Sequence, residues 1–221
     1  MRILIGAIAA TLAMGTVACS AHAQTERPIT YVAIGASDAV GIGAANPEKD
    51  GWVPQLGARL GPNVRVVNLG VSGSTLAQAL QEQLGPAIDA QPDVVTVWLA
   101  VNDLNARVPL EEYGAQLDTL LAQLEMTHAR VLVGNVPDLS ALAAYRGIDP
   151  EQVNAEVNRW NAVIAETTAR HGDTLVDLHA HWQEISEHPE YLSSDGFHPS
   201  SAGYQALADV FAGALQAGAG A

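Results

Sequence analysis

The sequence predicts an α/β protein, a three-layer α/β/α sandwich built on a doubly wound, five-stranded parallel sheet. Two observations carry that expectation. Five short runs rich in β-branched residues each stop at Gly, Asn, Asp or Pro, as buried strands do. Stretches with helical spacing separate them, and strands that alternate with helices imply parallel strands joined by crossovers.

The strands are expected at Thr30 to Gly35, Val64 to Gly70, Val94 to Ala100, Arg130 to Val136 and Thr174 to Leu178. The helices are expected at Trp52 to Leu60, Thr75 to Asp89, Leu110 to His128, Asp149 to Arg170 and Ser201 to Leu215. Asp149-Pro150-Glu151 supplies an N-cap followed by Pro at the first helical position, and His171-Gly172 closes that helix with Gly past its end. Pro199 and the serines after it open the last helix in the same way. The architecture is of the flavodoxin-like kind, in which ligands sit beyond the carboxyl ends of the strands where the strand order reverses. Those ends are where chemistry is expected.

The chain has 221 residues, 10 Lys and Arg against 24 Asp and Glu, and one cysteine. Arg2, the apolar run from Ile3 to Val17 and the small residues after it read as a secretory signal over residues 1–23, too short to be kept as a membrane span. Ala21-His22-Ala23 fits the cleavage rule and makes Gln24 the first mature residue. Cys19 after Thr16-Val17-Ala18 offers a poorer lipoprotein box, and with it a lipid-anchored form. An exported protein, periplasmic or extracellular, is therefore expected, with residues 24–221 forming one domain. Without its signal the chain has no cysteine, hence no disulfide and no cysteine metal site. The net charge of −14 argues against nucleic acid and anionic membrane surfaces as partners.

The stretch "YVAIGASDAVGIGA", Tyr31 to Ala44, places Ser37 on the bend after the first strand, where a hydroxyl projects from the sheet edge. A lone serine there is more often a helix cap. The G-x-S-x-G elbow is absent, since Ala39 stands two residues after Ser37. Nor does the run of Gly35, Gly41 and Gly43 keep the dinucleotide-binding spacing. Three other strand ends change the weighing: "NLGVSGS" after the second strand, "LAVNDL" after the third, and "SSDGFHPS" near the C-terminus.

With these four blocks in order, the chain resembles the SGNH hydrolases, the GDSL-type esterases and lipases. The resemblance implies Ser37 as nucleophile and Asp195 with His198 as the pair that activates it. It implies an oxyanion hole from the amides of Ser37 and Gly70 and the carboxamide of Asn102. The residue types suit acyl transfer, which needs a nucleophile, a base, a group that fixes the base's tautomer, and donors where the oxyanion forms. The three-residue spacing lets one tight turn present Asp195 and His198 together, with Gly196 easing the turn. The chain departs from the family pattern at Ala36, where Asp is usual, and at Ala100, where Gly is usual.

The expected activity is therefore that of an exported serine esterase working through an acyl-enzyme on Ser37, without metal or cofactor, on a small-molecule ester. Short to medium acyl esters are expected, with lipid, thioester and acetylated-sugar esters within the family's range. The alternative is a non-catalytic secreted carbohydrate- or ligand-binding relative on the same fold. Asp38 and Asp103 read as turn or capping acids, and Ser72 and Ser74 as loop hydrogen-bonders. Asp177, His179 and His181 would share one face if extended, but a metal site there lacks a fourth group. The segment Asn135 to Ile148 has no clear helix frame. Its Leu139, Leu142 and Tyr145 recur at three-residue spacing and are candidates for the acyl pocket, or else minor core.

Overall fold

The computed structural model describes residues 27–181 and 187–217. The expected signal segment, with Cys19 and the Gln24 start, lies outside the described residues.

The chain runs β1 (Ile29–Gly35), α1 (Ser37–Val40), α2 (Pro47–Asp50), α3 (Trp52–Leu60), β2 (Val64–Asn68), α4 (Leu76–Glu82), α5 (Leu84–Asp89), β3 (Val94–Trp98) and α6 (Val101–Asn105). It continues through α7 (Leu110–Glu125), β4 (Arg130–Gly134), α8 (Pro150–Arg170), β5 (Thr174–Val176) and α9 (Ser201–Ala217), with single 3-10 turns at Ala143–Tyr145 and Pro189–Tyr191. All five strands are parallel, in the order β2-β1-β3-β4-β5.

Strand alternation divides the core between the two faces of the sheet. Val32, Ile34, Val95, Val97, Val131 and Val133 pack under α4, α5, α7 and α8. Tyr31, Ala33, Val94, Leu132 and Val176 pack under α3 and α9, where Trp52 stacks on Phe211 with ring centroids 4.5 Å apart. The first crossover turns one way along the sheet and the next ones the other way. The strand order therefore reverses between β1 and β3, and a crevice opens beyond their carboxyl ends.

The short helices α1, α2 and α6 have no counterpart among the expected elements; the other elements differ from expectation mainly at their ends, and at one interior point. The helix expected over 75–89 is two helices that meet at Gln83. Pro86 has no N–H to offer the Glu82 carbonyl, and its ring crowds the preceding turn. The caps follow the expected chemistry: the Asp149 side chain accepts from the Glu151 amide at 3.0 Å, and the Ser200 hydroxyl accepts from Gly203 at 3.3 Å. Among the described residues no helix is long and apolar enough to cross a membrane.

Candidate active site

The reversal point of the sheet puts the loop after β1 beside the loop after β3. Ser37 is the first residue of the one-turn α1, which ends at once because Gly41 adopts a left-handed φ of 87°. No acceptor among the described residues takes the Ser37 amide. The segment after β1 also passes close to the loop that carries His198. Gly43, at φ 97°, makes this possible, because a Cβ there would lie 2.4 Å from the Pro199 carbonyl oxygen.

His198 Nε2 lies 2.9 Å from Ser37 Oγ, and His198 Nδ1 lies 2.7 Å from Asp195 Oδ2. A carboxylate only accepts, so the ring proton belongs on Nδ1 and the Nε2 lone pair faces the serine hydroxyl. The turn holding the pair is closed on itself. The Ser193 amide donates to the His198 carbonyl, the Gly196 amide to the Ser193 carbonyl, and Gly196 sits at φ 67°.

Asp195 Oδ1 accepts from Ser193 Oγ at 2.8 Å and from the amides of Phe197 and His198 at 2.8 and 2.9 Å. Partial burial pushes the Asp195 carboxyl up. The hydrogen bonds from His198, the two amides and Ser193 outweigh it and hold the group well below the usual carboxylate range. Asp195 is therefore ionised wherever the protein is folded at ordinary pH.

Asn102 is the second residue of α6, the short helix that follows β3. Its Nδ2 donates to the Ser74 carbonyl at 2.9 Å, and the second hydrogen of that nitrogen remains for another acceptor. Asn102, Ala100 and Ser37 border one recess of about 20 Å³. Ala100, the departure from the family pattern, is part of its wall. Gly70 is pressed against the serine turn: a Cβ there would lie 2.7 Å from Ala39 Cβ and 3.1 Å from the Ala36 carbonyl oxygen. Its amide donates to Asn68 Oδ1 at 3.1 Å, while Asn68 Nδ2 donates to the Ala39 carbonyl at 2.6 Å.

A second cavity, of about 50 Å³, adjoins the recess through Asp38, Trp98, Val101 and Phe197. Leu139 and Leu142 form part of its wall and are at the same time core residues. Tyr145 does not line it. The Tyr145 side chain is buried and its hydroxyl donates to Asn105 Oδ1 at 2.7 Å, so of the three candidates for the acyl pocket the structure brings two to the cavity. Asp38 is half-buried on this wall. Burial pushes its carboxyl up to about 6, His198 opposing the shift and Asp195 adding to it.

Asp103, Ser74 and Asp177 have structural partners. Asp103 is fully buried and caps the amide of Leu76, and the Ser74 hydroxyl donates to the Thr75 carbonyl at 3.2 Å. Asp177 Oδ1 accepts from Asn135 Nδ2 at 2.8 Å and from the Ala180 amide at 3.0 Å, in a turn rather than an extended strand. Among the described residues no three His, Cys, Asp or Glu side chains gather to hold a metal ion. Sequence reasoning missed Ser193, which bonds Asp195 two residues on, and Asn68 and Gln83, whose partners Ala39 and Gly35 lie 29 and 48 positions away.

Known proteins resemble this chain in both sequence and fold. The model of the GDSL-like Lipase/Acylhydrolase family matches residues 33–206. An acetylxylan esterase of Geobacillus stearothermophilus is 25% identical over 170 residues, covering 72% of each chain. The crystal structure of LAE5, an α/β hydrolase enzyme from the metagenome of Lake Arreo, Spain, is 25% identical, with a TM-score of 0.69 over 85% of this chain and 95% of that one. The crystal structure of TesA, at 22% identity, superposes with a TM-score of 0.70 over 84% of this chain and 97% of that one, a likeness of fold.

Proposed function

Since the chain belongs to the GDSL-like lipase/acylhydrolase family and is an ester-hydrolysing serine hydrolase, we propose that it acts through an acyl-enzyme on Ser37, outside the cytoplasm, on short-chain acyl esters. The observation that carries this reading is the unbroken relay of 2.9 and 2.7 Å from Ser37 through His198 to Asp195, with Asn102 bordering the same recess.

In the first half-reaction Ser37 Oγ attacks the ester carbonyl carbon while His198 Nε2 takes the hydroxyl proton. Asp195, ionised, stabilises the imidazolium and fixes its orientation. The carbonyl oxygen, now negative, accepts from the amides of Ser37 and Gly70 and from the free hydrogen of Asn102 Nδ2. Collapse breaks the bond to the alcohol, which leaves with the proton from His198. A water then repeats the sequence on the acyl-serine, releasing the acid and restoring the serine hydroxyl.

The cavity beside the serine supports a small acyl group. Its 50 Å³ holds about three to five waters, or as many carbon atoms. The similarity to an acetylxylan esterase supports acetylated sugars as one source of such esters. Export rests on the leader-like residues 1–23.

An active-site phosphonate and an ester panel test this reading. The expected result is a single adduct on Ser37, hydrolysis abolished in Ser37→Ala with the fold intact, and rates that fall from acetate and butyrate to octanoate and palmitate. An adduct on Ser72 or Ser74, or a long-chain optimum, would overturn it.

A further inference from the structure

Gln83 is buried, with 1% of its surface exposed, at the kink between α4 and α5. Its carboxamide oxygen accepts from the Gly35 amide at 3.0 Å, and its nitrogen donates to the Gly35 carbonyl at 3.0 Å and to the Ser74 hydroxyl at 3.1 Å. Both hydrogens and the oxygen of one side chain are thus committed. Gly35 ends the strand that delivers Ser37, two residues on. Ser74 is the residue whose carbonyl accepts from Asn102.

We propose that Gln83 is a positioning residue for ester hydrolysis, one that sets the separation between the nucleophile and the Asn102 carboxamide by joining the end of β1 to the loop that anchors Asn102. The proposal rests on the reading of Ser37 as nucleophile and Asn102 as oxyanion donor. Gln83 touches neither residue. It acts through Gly35 on one side and Ser74 on the other. A donor aimed at a developing oxyanion must be held to within a fraction of an ångström to be worth its full effect, and that precision comes from the residues behind it. The kink forced by Pro86 falls at the point where this side chain turns inward to the sheet edge.

A double-mutant cycle between Gln83→Met and Asn102→Ala tests this, using p-nitrophenyl acetate and assaying every variant well below its own unfolding midpoint. Gln83→Met is expected to lower kcat about tenfold or more with KM within about twofold, because a displaced donor is missed mainly in the transition state. Asn102→Ala, expected to cost about 10² or more alone, should cost only about tenfold in the Gln83→Met background. A purely structural Gln83 would lower the midpoint and leave the two costs independent. Independent costs, or a wild-type kcat in Gln83→Met, overturn the proposal. Should Gln83→Met fail to fold, Ser74→Ala takes its place in the same cycle with the same two outcomes, since it deletes the hydroxyl that Gln83 holds, together with that hydroxyl's local bond to the Thr75 carbonyl, and leaves the Ser74 carbonyl that Asn102 uses. Wild-type protein that neither cleaves the ester nor takes a phosphonate on Ser37 overturns the reading of the site itself, and this proposal with it.

Discussion

Asp103 reaches back 27 residues to Leu76 and holds its amide with both carboxylate oxygens, at 3.0 and 3.2 Å. The bond ties the loop after β3 to the start of α4, next to the Ser74 carbonyl that Asn102 uses. Burial pushes the carboxyl from an ordinary 3.8 up to about 6, the Leu76 amide opposing. A carboxyl raised on folding contributes stability that is whole below about 3.8 and lost as pH rises through about 6. Asp103→Asn does not titrate, so its stability relative to wild type should improve between pH 4 and pH 7. Asp103→Ala leaves the Leu76 amide without its cap and should cost about 1–2 kcal/mol. Urea unfolding at both pH values measures each effect, and a pH-independent difference between wild type and Asp103→Asn would refute the assigned burial.

Asn102 should divide binding from chemistry. In the proposed mechanism its second Nδ2 hydrogen meets charge that appears only in the transition state. Asn102→Ala is therefore expected to lower kcat by about 10²–10³ while KM changes little. Steady-state kinetics on acetate esters checks it. A raised KM with unchanged kcat would make Asn102 a ground-state binding group instead.

The sequence carried most of this architecture because its signals are local. The apolar strand runs and the helix over Trp52–Leu60 sit where periodicity put them, and Asp149-Pro150 and Ser200 cap as their types dictate. The Asp195-x-x-His198 spacing was legible for the same reason, since three residues close one turn. What could not be read were side chains whose partners are far along the chain. Gln83 meets Gly35 across 48 positions and looks like any polar helix residue, although Pro86 was a visible signal for the kink that turns it inward. Asn68 meets the Ala39 carbonyl across 29 positions and left no periodic trace, and Tyr145 kept the spacing of Leu139 and Leu142 but found Asn105 instead of the cavity. Leu142 is extended, at φ −74° and ψ 146°, and the 3-10 turn starts only at Ala143, so no continuous helical face joins the three residues despite their equal spacing.

His171 staples the end of α8 to α7 through two carboxylates, Nδ1 lying 2.5 Å from Glu125 and Nε2 lying 3.0 Å from Asp118. Burial alone would lower its pKa, but the hydrogen bonds and charges of Glu125 and Asp118 prevail and raise it. Arg170 also pairs with Asp118, at 2.7 Å. The sign is opposite to that of an ordinary paired carboxylate. A histidine raised on folding contributes stability that is whole below its ordinary 6.5 and lost as pH rises through the higher folded value. His171→Gln should therefore lower the unfolding midpoint more at pH 5.5 than at pH 9. Equal losses at both values would mean that the imidazolium pairs add nothing.

Leu142 separates the two readings of the segment after β4. It is 3% exposed and belongs to the core beneath α7 and α8, yet it also walls the cavity that adjoins the recess bordered by Ser37. As core, Leu142→Ala should cost about 2–5 kcal/mol in stability, with the rates for acetate, butyrate, octanoate and palmitate esters scaled by a common factor. As pocket wall it should cost stability and change the profile as well. Removing three carbons beside a space of about 50 Å³ adds room at the far end of the acyl group. Each methylene newly accommodated there is worth about 0.8 kcal/mol, close to a fourfold gain in kcat/KM. The acetate rate should stay nearly constant, because a two-carbon acyl group ends before it meets Leu142, while butyrate and octanoate gain on it. Assays at a temperature well below the variant's midpoint keep the stability loss from masquerading as a specificity change. A shift of the optimum by two or more carbons would place Leu142 in the acyl site. A profile of unchanged shape would leave it to the core alone, and the short-chain limit would then have to come from Trp98 and Phe197 on the nearer walls.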